Sequence, residues 1–150
     1  MVQISKERFA LGSYQYLRYP FEYFLDTAVL LGMQNVDLWA AGPSFCLDTM
    51  DEAQLKEKAA QIRSRELSVC CITPEQCQYP VNLAAEDEKI REYSIRNFER
   101  AFYAAEILNC PKVLVSAGCG YFNKPVEDAW KRSEESLHRL SEKAQKMGIL

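Results

Sequence analysis

Four times along this chain a short apolar run gives way to an apolar stripe at helical spacing. That alternation restricts the fold to a parallel sheet joined by helical crossovers, because parallel strands cannot be linked by tight turns. The 150 residues close on Gly148-Ile149-Leu150, where a fifth apolar segment begins. The expectation is an α/β chain of about four βα units plus the start of a fifth strand, the first half of something larger.

The first strand is expected at residues 9–13, followed by an aromatic loop at 14–19 and Pro20 as the first helical residue. Phe21, Phe24, Leu25, Ala28 and Leu31 mark the buried stripe of the first helix, which Gly32 stops with a left-handed cap. Residues 35–39 form the second strand, and 40–48 a loop containing Gly42 and Pro43. Thr49 and Glu52 have the spacing of a capping box ahead of a helix that buries Leu55, Ala59 and Ile62. The third strand covers 68–73, and adjacent Cys70 and Cys71 should point to opposite faces.

A loop at 74–85 then leads to a helix with Ile90, Ser94, Asn97, Phe98, Ala101, Ala105 and Leu108 on one side. Residues 112–116 (Lys-Val-Leu-Val-Ser) read as a strand covered on both faces. The last helix spans about 126–147, with Trp130, Leu137, Leu140, Ala144 and Met147 as its stripe and Gly148 as its cap.

The loops entering these strands are tight, whereas the loops leaving them are longer and chemically richer. In parallel α/β proteins the leaving side is the carboxyl end of the sheet, where ligands bind. Gln15, Trp39, Glu75, Ser116 and Tyr121 lie there and are the candidate substrate-binding residues. Glu75 could hold substrate hydroxyls or cap amides of its own loop, and Trp39 could form an aromatic wall for a sugar or simply pack. The small-residue run 116–120 allows close approach to backbone or simply accommodates a tight turn.

Several chemistries lack their residues. No glycine-rich phosphate fingerprint follows the first strand, and no Gly-Lys-Ser or Gly-Lys-Thr occurs. The single histidine, His138, falls on the last helix, which leaves no triad and no multi-histidine zinc site. The six cysteines are irregularly spaced and read as reduced thiols; a thiolate metal site from Cys46, Cys77 and Cys119 is the minor alternative. A net charge of −3 argues against nucleic acid as a partner. No apolar run approaches the roughly 20 residues of a membrane span, and the N-terminus has no signal-peptide core, so a cytoplasmic protein is expected.

Asp37-Leu38-Trp39 with its Gly-Pro loop, Ile72-Thr73-Pro74-Glu75 followed by Tyr79-Pro80 and Asn82, and Val115-Ser116-Ala117-Gly118 together resemble the sugar phosphate isomerase/epimerase superfamily. Within it they are most similar to the fructoselysine 3-epimerase group. The resemblance implies the N-terminal half of a TIM (β/α)8 barrel of the xylose-isomerase type, residues 1–150 forming one truncated domain. It also implies a metal-dependent epimerase or isomerase of ketoses or sugar derivatives in the intact parent. There a divalent metal (Mn, Co or Mg) is held by Glu, Asp, His and Glu from strands five to eight, and two glutamates move a proton beside a carbonyl.

The first of those ligands is expected just past Leu150, so this chain contributes no catalytic or metal-binding residue and should be silent alone. Endonuclease IV, of the same superfamily, carries zinc-ligating histidines on its early strands, where this chain has none. The rival expectation is a stand-alone half-barrel that pairs with a second copy or a partner chain, since its first and last strands would be open edges.

Overall fold

The computed structural model describes residues 5–76 and 80–150. Three parallel strands, β1 (Ala10–Gly12), β2 (Asn35–Trp39) and β5 (Ser68–Thr73), lie side by side in that order. Residues β3 (Ala41–Gly42) and β4 (Phe45–Cys46) form a small antiparallel hairpin inside what the sequence presents as a plain loop. The helices are α1 (Phe21–Leu30), α2 (Glu52–Arg63), α3 (Glu88–Leu108) and α4 (Val126–Met147). None is long and apolar enough to cross a membrane among the described residues.

Strand alternation sorts the two faces of the sheet. Val36 and Leu38 of β2, with Val69 and Ile72 of β5, join one core cluster with Phe21, Phe24 and Leu25 of α1, Leu55 of α2 and Phe98 of α3. Asn35, Asp37 and Trp39 face the other way and are half-buried. Fully burying each Phe or Leu in such a cluster contributes about 1.5–3 kcal/mol, which fixes the register: a one-residue slip would turn these side chains out.

Several expected details change. β1 is shorter than 9–13 because Ser13 opens a 3-10 turn, Ser13–Tyr16. Pro20 caps α1 with extended backbone rather than opening it, and Leu31 lies past the helix, partly exposed. The capping box at α2 is Asp51 with Gln54, not Thr49 with Glu52. Asp51 Oδ1 accepts the Gln54 N–H at 2.8 Å, and Gln54 Oε1 accepts the Asp51 N–H at 3.0 Å. Thr49 instead donates its hydroxyl to the Cys46 carbonyl.

Cys70 and Cys71 do not alternate. β2 pairs Val36 with Val69 but Asp37 with Cys71, so Cys70 is an extra residue in a β-bulge and both thiols are half-buried. Trp130 is not in the α4 stripe: it is 71% exposed, while Ala129, Ser133, Ser136 and Leu140 face inward.

The expected strand 112–116 is reduced to a parallel bridge between Val113 and Ile72. Ile72 N–H donates to the Lys112 carbonyl at 3.0 Å, and Leu114 N–H to the Ile72 carbonyl at 2.9 Å. The next donor in that ladder would be residue 74, which is proline and has no N–H. Nor is the segment covered on both faces, since Val113 is buried and Leu114 is 53% exposed. On its far side Leu150 N–H donates to the Pro111 carbonyl at 2.9 Å and Val113 N–H to the Leu150 carbonyl at 3.0 Å, the pattern of a parallel pair.

Candidate functional site

Ser13 fixes the relation between the first two strand exits. Its buried hydroxyl accepts the Trp39 N–H at 2.8 Å, in place of a β1 backbone carbonyl. Tyr14 then meets Trp39 in a T-shaped contact, with centroids 5.0 Å apart at 78°, a favoured aromatic geometry. Gln15 is exposed beside this pair and folds over Gly12, where its Oε1 is 3.5 Å from the position a β-carbon would take. Trp39 itself rests on Gly42: a β-carbon there would lie 3.1 Å from its ring.

The third and fourth strand exits meet in a second cluster. Gln76 N–H donates to its neighbour Glu75 Oε1 at 3.0 Å, and Ser116 donates its hydroxyl to the Gln76 carbonyl at 3.3 Å. Asn97, on the buried side of α3, donates from Nδ2 to the Glu75 carbonyl at 3.1 Å. Glu75 and Ser116 are thus brought together through the backbone of Gln76. The Ala40 N–H reaches the Thr73 carbonyl at 2.8 Å and ties the exits of β2 and β5.

Tyr121 stands apart from both clusters. It is 59% exposed, has Lys124 Nζ 5.6 Å from its ring centroid, and lines a depression of about 400 Å³ with Phe122, Val126 and Trp130. Tyr79 and Cys77 lie outside the described residues.

Three further residues bear on the site. Asp37 is on the same face as Trp39, two residues away, and accepts the Thr73 hydroxyl at 3.1 Å. Burial raises its carboxyl above the ordinary aspartate value, and the Thr73 hydrogen bond only partly opposes this. The period of two along β2 carried that signal. Gln76 has a buried side-chain oxygen that finds no partner among the described residues, a cost no sequence pattern announces.

Asn82 latches the two exit loops together. Its Oδ1 accepts the N–H groups of Ala84 (2.9 Å) and Cys119 (3.0 Å), and its Nδ2 donates to the Cys119 carbonyl (2.9 Å). Buried serines complete the support: Ser94 accepts the Asn82 N–H at 2.7 Å, while Ser133 and Ser136 donate to the carbonyls of Ala117 and Leu83.

Cys70, Cys71 and Cys110 are poor nucleophiles. Burial, then the Asp37 charge, raises Cys70 and Cys71, and burial pushes Cys110 up to about 11. His138 is on the exposed side of α4, 3.5 Å from Glu142. Among the described residues no group of three His, Cys, Asp or Glu side chains is placed to hold a metal ion.

Residues 25–150 match the model of the xylose isomerase-like TIM barrel family. The chain is 26% identical over 132 residues to fructoselysine 3-epimerase of Escherichia coli O157:H7, covering 88% of this chain and 48% of that protein. It superposes on a D-psicose 3-epimerase from Clostridium cellulolyticum H10 with a TM-score of 0.76 at 17% identity, over 93% of this chain and 49% of that one. An L-ribulose 3-epimerase gives a TM-score of 0.70 at 19% identity, over 93% and 46%. The chain spans about half the length of these relatives, and its parallel α/β half matches the TIM-barrel fold. It belongs to the xylose isomerase-like TIM barrel family.

Proposed function

We propose that this chain is the N-terminal half of a sugar 3-epimerase or isomerase and supplies the substrate-shaping wall of its pocket. The substrate is a ketose or a sugar derivative of the fructoselysine type, and the reaction is proton abstraction beside its carbonyl. The observation that carries this reading is that Gln15 and Glu75 follow parallel strands, Trp39 ends one, and Ser116 comes after the parallel bridge at Val113, in a chain of this family. Trp39 offers a ring face to the sugar's C–H surface. Glu75 accepts hydrogen bonds from substrate hydroxyls, and Gln15 and Ser116 orient further hydroxyls; Tyr121 closes the outer rim.

A divalent metal, expected for the intact enzyme, does not fit the described part of this chain, which offers no ligand cluster. No step is routed through it here. These residues bind and orient; the proton-transfer groups belong to the other half of the barrel. The test is a titration of the 150-residue chain with D-fructose, followed by Trp39 emission and by epimerase assay with added manganese. Saturable quenching lost in W39A, with no turnover, is expected. Robust metal-dependent epimerisation by this chain would overturn the division of labour.

A second reading is a half-barrel that pairs with a copy of itself. It is favoured by an apolar groove of about 640 Å³ along the 113–115 edge, lined by Phe102, Val113, Val115, Leu140, Ile149 and Leu150. Sedimentation equilibrium decides: a concentration-dependent dimer supports it, and a monomer at every concentration removes it.

A further inference from the structure

β1 and β2 pair so that Gly12 stands opposite Asp37, and partners in register share a face of the sheet, here the face that carries Trp39. The backbone does not require a glycine at this place. Gly12 has φ −85° and ψ 136°, open to any residue, and its pairing with Asp37 contains no bulge. A β-carbon on it would meet only Gln15 Oε1, at an ordinary 3.5 Å. A strand glycine that neither a bulge nor a left-handed turn explains marks a place where something else approaches closely.

The gap over Gly12 is bordered by groups with unused hydrogen-bonding capacity. From the β5 side, Asp37 Oδ1 accepts the Thr73 hydroxyl at 3.1 Å. Oδ2 has no hydrogen bond, and the carboxylate no ion pair, among the described residues. An ionised carboxyl has about four acceptor sites, so one donor leaves most of them unfilled. The Gln15 amide also makes no hydrogen bond among the described residues. A half-buried carboxylate with no cation beside it costs stability that an amide would not, and groups held at such a cost concentrate where a fold binds. An anion would be repelled here, and a cation would face the Gln15 N–H groups. A neutral hydroxyl serves both neighbours: it donates to Asp37 and accepts from Gln15 Nε2.

We propose that Asp37 is a specificity-determining residue, which accepts a hydrogen bond from one sugar hydroxyl seated in the gap over Gly12 and held from its other side by Gln15. This rests on the sugar-binding reading and adds the residue that selects a hydroxyl at one ring position. A site built to bond a hydroxyl rejects the analogue that lacks it.

The test is a two-dimensional NMR titration of the ¹⁵N-labelled 150-residue chain with D-fructose and with each of its monodeoxy analogues, repeated on D37N, G12A and W39A. D37N keeps an acceptor for Thr73, and G12A adds a β-carbon that the fold accommodates but the gap does not. D-fructose is expected to shift the Gly12, Gln15 and Asp37 amides saturably. One deoxy analogue should bind the unaltered chain at least about fivefold more weakly than D-fructose. In D37N the two should bind alike, whereas a merely structural Asp37 would leave that discrimination in place. G12A should weaken D-fructose by a similar factor. Equal binding of every analogue by the unaltered chain, discrimination kept in D37N, or D-fructose affinity unchanged in both D37N and G12A overturns the proposal. If it fails in one of these ways while W39A abolishes binding, only the Asp37 subsite falls. If W39A binds normally while D37N loses discrimination, the aromatic wall falls and the subsite stands. No saturable shift with D-fructose overturns both.

Discussion

A β-carbon on Gly118 would sit 2.3 Å from Asn82 Oδ1, and Gly118 holds φ at +82°. The two residues are complementary: the glycine lets the loop after 112–116 come close enough for Asn82 to bind Cys119 by both its N–H and its carbonyl. The pair expresses backbone conformation and side-chain chemistry that only work together.

G118A should lower stability by about 2–4 kcal/mol, through both the left-handed backbone and the collision with Asn82. N82A should cost about 1–3 kcal/mol by stranding the Ala84 and Cys119 amides. Urea unfolding of both single variants and the double variant checks this. Because the residues touch, the double variant should lose clearly less than the sum.

Asp37 makes stability depend on pH. Its folded pKa is raised by burial, so the unfolded chain ionises first and folding binds a proton. The benefit is complete below the ordinary value of 3.8 and is lost as pH rises through the raised folded value. D37N keeps an acceptor for Thr73 and should be more stable than the parent chain near pH 7. The difference between the two should vanish at low pH in denaturant titrations across that range.

At α2 the cap can be read directly. D51A should cost about 1 kcal/mol of stability, and T49A should be close to neutral because its hydroxyl makes only a 3.4 Å bond to Cys46. Equal losses from the two would return the cap to Thr49.

Phe98 is fully buried in α3. F98A should cost about 3–5 kcal/mol. Circular dichroism melting measures it.

Much of the frame was legible because punctuation and periodicity agreed. Strands 35–39 and 68–73 and helix 126–147 fall where read, each bounded by Gly, Pro or both. The misreadings have physical causes. Trp130 was placed in a stripe that drifts over a helix as long as α4, so a residue one position off faces solvent. Thr49 and Asp51 are both competent caps, and only the start of the helix selects between them. Strand 112–116 fails as a ladder because of Pro74, the residue just past β5, which no local reading consults.

The same limit applies to the site. That Glu75 and Ser116 follow adjacent strands is visible in the order of elements, but their meeting at Gln76 depends on where pairing stops. The Asn82 latch was hidden because its partners are backbone groups, which have no letter in a sequence.

Pro74 has one consequence for how such a chain can change. Beyond it, among the described residues, neighbouring exits are stitched by side chains, the Ser116 hydroxyl and the Asn82 amide, rather than by main-chain pairing. The spacing of the rim is thereby detached from the sheet that carries it. A lineage can widen, narrow or re-polarise the opening by exchanging one side chain, while the scaffold beneath keeps its register and most of its stability.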